Sequence, residues 1–184
     1  MKDAIRKELK QRRANMDKDT VQNLSTMAQE QFLTSKLYQS CDTIMLYLPL
    51  GNETQTQMIV KKCFEDGKKV LLPVTDAKTY EITAHILSPD DSLKKGAFSV
   101  SEPESGAEFD KRKIDLVIVP GIGFTKKGDR IGFGKGCYDR FLADYKGITL
   151  GLCYDFQVVD FQGSCEDIPV DYLITPSGIT DCNL

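Results

Sequence analysis

The chain has 184 residues, of which 41% are hydrophobic and 28% are charged, and its formal net charge at pH 7 is −3. These numbers predict one globular domain over residues 1–184, and the small negative charge argues against nucleic-acid binding as the main role. No apolar run is long enough to cross a membrane and the charged N-terminus does not resemble a secretory signal, so we expect a cytoplasmic protein with free thiols at its six cysteines.

The first third of the chain predicts two helices, a strand and a third helix. Residues 2–16 have helical spacing, and a second helix is expected to begin near Asp19, whose side chain can cap it. The apolar run 43–48 predicts a strand that Pro49 ends. Residues 54–66 then predict a helix that ends at Gly67, where glycine favours the left-handed C′ conformation.

The remaining chain alternates between predicted strands and a short helix. Strands are predicted at 69–73, 80–87, 114–119, 148–154 and 171–175, with a helix from about 138 to 145. Residues 88–113 predict a long loop with short strands over one edge of the site. This order predicts an α/β fold, an open, mostly parallel sheet flanked by helices, in which ligands bind at the carboxyl ends of the strands.

The most informative segment, residues 121–140, follows an apolar strand and is called the glycine loop below. It contains six glycines of the 14 in the chain, interleaved with the cations Lys126, Lys127, Arg130, Lys135 and Arg140. Glycines let backbone N–H groups approach an anion closely, and cations neutralise it. The alternative is a flexible surface loop, but the position directly behind a buried strand favours a nucleotide triphosphate site.

Five residues inside and outside this loop are candidates with open alternatives. Lys2 and Arg6 share one helical face, which is also typical of a solvated surface. Glu53 follows a strand, where a carboxylate could equally serve as a helix N-terminal charge. Cys137 could be a thiol activated by nearby cations or a small space-filling residue. Asp171 could equally be a turn or strand-start residue.

In their order and spacing, four motifs resemble the 5-formyltetrahydrofolate cyclo-ligase family, also called methenyltetrahydrofolate synthetases, over nearly the full length. They are K-x-x-[IL]-R at Lys2–Arg6, E-x-x-T at Glu53–Thr56, PG-x-x-F…G-x-R-[IL]-G-x-G-x-G-x-Y-D-R at Pro120–Arg140, and P-[VL]-D at Pro169–Asp171. Cys137 stands where members usually carry tyrosine, and Glu166 where many carry histidine. Neither departure removes a group that would bind phosphate or metal.

The resemblance implies ATP- and Mg²⁺-dependent conversion of 5-formyltetrahydrofolate into 5,10-methenyltetrahydrofolate, with release of ADP and phosphate. It also implies the fold shared with glucosamine-phosphate deaminases, ribose-phosphate isomerases and CoA transferases. We expect a monomer or weak homodimer that binds small molecules. Two alternatives stay open: a catalytically inactive folate- or nucleotide-binding regulatory relative on the same fold, and a sugar-phosphate isomerase that needs no ATP.

The resemblance also implies roles for particular residues. Lys135 and Arg130 would be the catalytic cations. ATP would contact Lys2, Asp3, Ala4, Ile5, Arg6, Arg130, Ile131, Gly132, Phe133, Gly134, Lys135, Gly136, Cys137 and Tyr138. Folate would contact Leu48, Glu53, Phe133, Gly134, Lys135, Gly136 and Cys137, and Mg²⁺ would be held by Asp139 and Asp171.

Overall fold

A computed structural model describes all 184 residues and has an eight-stranded sheet at its centre. The helices are α1 (Lys2–Ala14), α2 (Lys18–Leu33), α3 (Lys36–Gln39), α4 (Gln57–Glu65) and α5 (Cys137–Leu142). The strands are β1 (Thr43–Met45), β2 (Lys69–Thr75), β3 (Ile82–Leu87), β4 (Leu93–Lys95), β5 (Ser101–Pro103), β6 (Glu108–Phe109), β7 (Leu116–Val119), β8 (Gly123–Phe124), β9 (Arg130–Ile131), β10 (Ile148–Leu152), β11 (Tyr172–Thr175) and β12 (Gly178–Asp181).

The strand order in the main sheet is β12-β11-β10-β7-β1-β2-β3-β6. Strands β11, β10, β7, β1 and β2 are parallel, and antiparallel strands extend the sheet on both sides. This confirms the predicted open, mostly parallel α/β sheet. From β1 the chain moves to one side of the sheet, and from β7 it moves to the other. The order therefore reverses between β1 and β7, where such sheets form a crevice at their carboxyl ends.

The central strands are buried on both faces. Consecutive side chains of a strand point in opposite directions, and here each direction meets a different apolar cluster. In β1, Ile44 packs in the cluster that includes Phe32 of α2 and Ile59 of α4, whereas Met45 packs in the cluster that includes Phe141 of α5. The central parallel strands are consequently rich in apolar residues, and in β7 all four residues are apolar and buried, as a two-sided parallel sheet requires. All six cysteines are free thiols, as expected. None of the helices combines the length and the apolar character needed to cross a membrane.

The start of α2 differs from the prediction. Its N-cap is Asp17 rather than Asp19: the Asp17 backbone is extended, and its side chain accepts a hydrogen bond of 2.7 Å from the Thr20 N–H. Asp19 lies in the first turn, where its charge still favours the positive end of the helix dipole.

The segment between β1 and α4 is longer than predicted, and its side chains explain why. The Tyr47 hydroxyl donates to the Thr54 carbonyl at 2.7 Å, and the Thr56 hydroxyl donates to the Tyr47 carbonyl at 2.8 Å. These bonds hold residues 47–56 as a folded loop, so the strand ends at Met45 instead of 48 and the helix begins at Gln57 instead of 54. Gly67 has φ +71° directly after the C-cap, as predicted.

Candidate functional site

A cavity with a volume of about 740 Å³ lies where the strand order reverses. Tyr47, Leu48 and Glu53, which follow β1, line it together with Pro120, which follows β7. Residues 130–140 of the glycine loop line it as well. The two chain segments that sequence reasoning assigned to the carboxyl ends of strands therefore meet in one pocket.

Arg130 is the buried cation of this cavity, with 7% of its surface exposed. Its Nη1 donates to the Pro120 carbonyl at 3.3 Å, and its guanidinium lies 5.6 Å from the centre of the Tyr138 ring. Its Nη2 is 3.5 Å from Oδ2 of Asp139, and its Nε is buried without a hydrogen-bond partner. A buried guanidinium that the protein satisfies only in part fits an anionic ligand.

Glycines are required around Arg130 because their missing side chains leave room for it. A Cβ at Gly132 would lie 2.6 Å from Nη1 of Arg130, and one at Gly121 would lie 2.6 Å from the Phe124 ring. Further along, Gly134 and Gly136 have φ +96° and +68°, which other residues rarely adopt. Close packing therefore explains Gly121 and Gly132, and the left-handed backbone explains Gly134 and Gly136.

Helix α1 contributes two cations to the same cavity. The Arg6 Nε donates to the Gly132 carbonyl at 2.9 Å, which ties the helix to the glycine loop. The Lys2 ammonium pairs with Asp167, whose carboxylate also accepts from the Ser164 N–H. Although burial opposes ionisation of Asp167, these bonds hold its pKa below the usual value. Both cations line the cavity, so this helix face is more than a solvated surface.

Glu53 is buried, with 5% of its surface exposed, and lines the cavity. Its Oε1 accepts a hydrogen bond of 2.7 Å from the Leu50 N–H, which leaves Oε2 without one. Burial raises the pKa of its carboxyl, against the opposing effects of the Leu50 N–H and the positive charge of Arg13. A carboxylate held away from water at a cavity wall is suited to accept hydrogen bonds from the N–H groups of a heterocycle.

Cys137 lies at the first position of α5 and lines the cavity. Burial raises the pKa of its thiol, although Arg140, Arg130 and Lys135 act in the opposite direction. The thiolate is therefore disfavoured, and of the two alternatives for this residue the space-filling one is favoured.

Lys135 lies at an aromatic edge of the cavity. Its ammonium is 5.6 Å from the centre of the Tyr80 ring, and Tyr80 stacks on Phe98 at 6.0 Å. Phe98 and Val100, from the predicted loop 88–113, line the cavity together with the exposed ring of Phe133. This edge offers apolar surface for a flat ligand beside a cation.

The two predicted metal ligands lie in different places. Asp139 lines the large cavity and accepts from the Ile168 N–H at 3.2 Å. Asp171 lines a second pocket, where its Oδ2 accepts from the Thr149 N–H at 2.9 Å. No group of three or more Asp, Glu, His or Cys side chains forms a metal site. A single carboxylate beside several cations of one cavity nevertheless fits Mg²⁺, which proteins often bind through one or two carboxylates and substrate phosphates.

The structure brings most of the predicted ligand-binding residues together. The large cavity is lined by Lys2, Arg6, Leu48, Glu53, every residue from 130 to 138, and Asp139. Three residues of α1 do not line it: Asp3 is exposed and pairs with Arg6, Ala4 is exposed, and Ile5 packs against the cluster around Leu9.

Sequence reasoning missed several residues of the cavity wall. Pro73, Thr75 and Ile82 reach it from β2 and β3, and Asp167 reaches it from the loop before β11, beside Glu166. Asp167 has one sequence signal, since it directly follows Glu166, where the sequence departs from the family pattern. The others belong to strands with no motif, and only the fold shows that they meet the glycine loop.

Comparison with known proteins gives one consistent result. The model of the "5-formyltetrahydrofolate cyclo-ligase family" matches residues 1–176. The mouse 5-formyltetrahydrofolate cyclo-ligase is 27% identical over 92% of this chain and 87% of its own, and the Escherichia coli K12 enzyme of that name is 26% identical over 93% and 98%.

Two solved structures agree with these relatives. The NMR structure of Aquifex aeolicus 5,10-methenyltetrahydrofolate synthetase has a TM-score of 0.88 and 30% identity, covering 100% of this chain and 93% of that one. A 5,10-methenyltetrahydrofolate synthetase from Mycoplasma pneumoniae has a TM-score of 0.78 and 26% identity, covering 95% and 98%. With a family model that spans nearly the whole sequence, the chain belongs to the 5-formyltetrahydrofolate cyclo-ligase family and is an enzyme of that class.

Proposed function

We propose that the protein converts 5-formyltetrahydrofolate and ATP into 5,10-methenyltetrahydrofolate, ADP and phosphate, with Mg²⁺ as the metal. The observation that carries the proposal is that one cavity is lined by five cations, Lys2, Arg6, Arg130, Lys135 and Arg140, and by a buried carboxylate, Glu53. Cations suit the triphosphate, and a carboxylate away from water suits the N–H groups of a pterin. A phosphate-only site would have no use for Glu53.

The chemistry requires activation of the formamide oxygen, which is a poor leaving group. That oxygen attacks the γ-phosphorus and ADP departs, which leaves a phosphorylated iminium carbon. The N10 amine then attacks this carbon, loses its proton and closes the ring, and phosphate leaves with the former formyl oxygen. Such a sequence needs little covalent catalysis from the protein, because positioning and charge neutralisation carry phosphoryl transfer.

Each cavity residue has a defined task in this scheme. Arg130 and Lys135 stabilise the charge of the phosphoryl group in transfer, and Lys2 and Arg6 hold the triphosphate from α1. Asp139 is the residue that would hold Mg²⁺, which neutralises phosphate oxygens when bound. Glu53 orients the pterin, while the exposed rings of Phe98 and Phe133 offer apolar surface to the flat portions of the folate.

The test is a direct assay of product formation. Purified protein is mixed with 5-formyltetrahydrofolate and Mg-ATP, and the near-ultraviolet absorbance of the methenyl product is followed, with no-ATP and EDTA controls. Absorbance should rise only with both ATP and metal. A flat trace from folded protein, with a ligand-induced rise in melting temperature, would instead indicate the inactive folate-binding relative.

Variants of two lysines in the glycine loop connect this activity to the cavity. Lys135→Ala should lower turnover about a hundredfold, because one charge-stabilising group in a transition state contributes roughly 2.7 kcal/mol. Lys126 is the matched control, since it is exposed, lies in the same loop and does not line the cavity. Turnover of Lys135→Ala within about threefold of the parent protein would contradict the assigned role.

A further inference from the structure

The chain has three non-glycine residues with positive φ, and they cluster around Phe98, which lines one edge of the cavity. They are Tyr80, Phe98 and Ser99, with φ of 61°, 58° and 62°. The left-handed region is costly for bulky residues, and such residues persist where the surrounding structure fixes them, often at functional sites. Their common position therefore needs a reason beyond the local turns.

The turn that carries Tyr80 is built to hold this residue in place. The Asp76 side chain accepts hydrogen bonds from the N–H groups of Lys78 and Thr79, and the Tyr80 N–H donates to the Asp76 carbonyl at 2.8 Å. Glycine or asparagine would suit the left-handed backbone of the position better. The tyrosine is thus kept at a conformational cost, which indicates that its aromatic ring has a role.

The Tyr80 ring lies between two residues of the cavity wall. On one side it stacks on Phe98, with 6.0 Å between ring centres and 19° between planes. The Lys135 ammonium is 5.6 Å from the centre of the same ring, and Lys135 makes no ion pair. Lys135 and Phe98 line the cavity, whereas Tyr80 itself does not. Tyr80 can therefore act on a ligand only through these neighbours.

We propose that Tyr80 is a positioning residue that holds the Lys135 ammonium at the cavity by a cation–π contact. An aromatic face attracts an ammonium without neutralising it, whereas a carboxylate in the same place would compete with the phosphate for the cation. The ring thus limits the freedom of a long, exposed side chain and leaves its charge available to the nucleotide. The proposal rests on the proposed role of Lys135 in phosphoryl transfer.

Two variants separate the effect of the Tyr80 ring from the effect of its left-handed backbone. Tyr80→Phe keeps the aromatic face, and Tyr80→Asn removes it while retaining a residue that tolerates the left-handed turn. Tyr80→Phe should keep the parent turnover. Tyr80→Asn should lower kcat about fivefold to tenfold, in line with the strength of a cation–π contact, with the KM for 5-formyltetrahydrofolate changed by less than about twofold.

A double-mutant cycle then tests whether Tyr80 acts through Lys135. In the Lys135→Ala background, Tyr80→Asn should have no further effect on kcat. An equal loss in both backgrounds, an unchanged kcat of Tyr80→Asn, or an equal loss in Tyr80→Phe would each overturn the proposal. If the single variant Lys135→Ala keeps the parent turnover, the proposed role of Lys135 in phosphoryl transfer is wrong. If Lys135→Ala loses turnover but Tyr80→Asn does not, only the proposed role of Tyr80 is wrong.

Discussion

Arg130 and Asp139 form an incomplete pair in the wall of the cavity. Nη2 of Arg130 lies 3.5 Å from Oδ2 of Asp139, which is longer than the roughly 2.7–2.9 Å of a strong charge-assisted hydrogen bond. Nε of the same guanidinium is buried and has no partner. Because a buried charge is costly unless it is fully paired, this arrangement favours the entry of an anion beside Arg130 and of a cation beside Asp139.

Replacement of Arg130 by methionine should separate function from stability. We expect kcat/KM for ATP to fall at least about a hundredfold, because the phosphoryl group loses a stabilising charge. The melting temperature of the ligand-free protein should change little, because the substitution removes an incompletely paired buried charge and the remaining Asp139 side chain is still 24% exposed to water. Steady-state kinetics and thermal melts, with and without Mg-ATP, measure both quantities.

Arg112 provides the control for this substitution. It pairs with Asp110 at the surface, and its side chain is largely exposed. Arg112→Met should change neither kcat/KM nor the melting temperature appreciably, since exposed ion pairs contribute little. Retention of the parent kcat/KM in Arg130→Met would remove Arg130 from the mechanism.

Two glycine substitutions should affect different properties, one the turnover and the other the stability of the fold. Gly132→Ala places a Cβ 2.6 Å from Nη1 of Arg130, so the guanidinium must shift and kcat should fall about tenfold or more. Gly67→Ala is away from the cavity but has φ +71°, so it should lower the free energy of unfolding by about 1–2 kcal/mol and leave kcat unchanged. Denaturant unfolding and turnover are measured on both. A Gly132→Ala protein with parent kcat would show that the guanidinium position is not critical.

The sequence was sufficient to predict the parallel sheet and the glycine loop because both depend on local patterns. Buried strands such as Leu116–Val119 are continuous apolar runs, and the strand-then-loop order places ligands at the carboxyl ends. The family motifs then added Lys2 and Glu53, which composition alone would not have distinguished from other surface charges.

The sequence could not predict features that depend on long-range contacts. The loop 47–56 owes its shape to hydrogen bonds between Tyr47 and the two threonines that follow, Thr54 and Thr56. The edge strand β12 pairs antiparallel with β11 although Gly178–Asp181 has little apolar pattern. Phe98 reaches the cavity from the connection between β4 and β5, a hairpin that is separate from the main sheet. None of these contacts follows from the spacing of residues within a short stretch of sequence.

Glu53→Gln should weaken folate binding while leaving the fold intact. The KM for 5-formyltetrahydrofolate should rise at least about tenfold, since hydrogen bonds to a charged partner are worth roughly 1.5–3 kcal/mol. The pKa of the Glu53 carboxyl is raised by burial, so its ionised form destabilises the folded protein. The stabilising contribution of this carboxyl is present at low pH and is lost as the pH rises through its raised pKa.

The pH dependence of melting checks this sign. Above roughly pH 4.3, where an unperturbed glutamate ionises, Glu53→Gln should melt no lower than the parent, and its relative stability should increase with pH. The KM of the parent should also rise as the pH falls through the raised pKa of Glu53. A variant that loses stability at neutral pH and keeps its KM would assign Glu53 a structural role instead.

The metal requirement should depend on Asp139 and not on Asp171. Asp139→Asn keeps an oxygen that can accept from the Ile168 N–H but loses the negative charge, so the Mg²⁺ concentration for half-maximal activity should rise about tenfold or more. Asp171→Asn is the matched comparison, because Asp171 lines a separate pocket and its Oδ2 is bonded to Thr149. We expect its Mg²⁺ requirement to stay within about twofold of the parent, a difference of roughly 0.4 kcal/mol. Titration of activity with Mg²⁺ at saturating ATP measures this requirement in both variants. A higher Mg²⁺ requirement in Asp171→Asn alone would assign the metal to the second pocket instead.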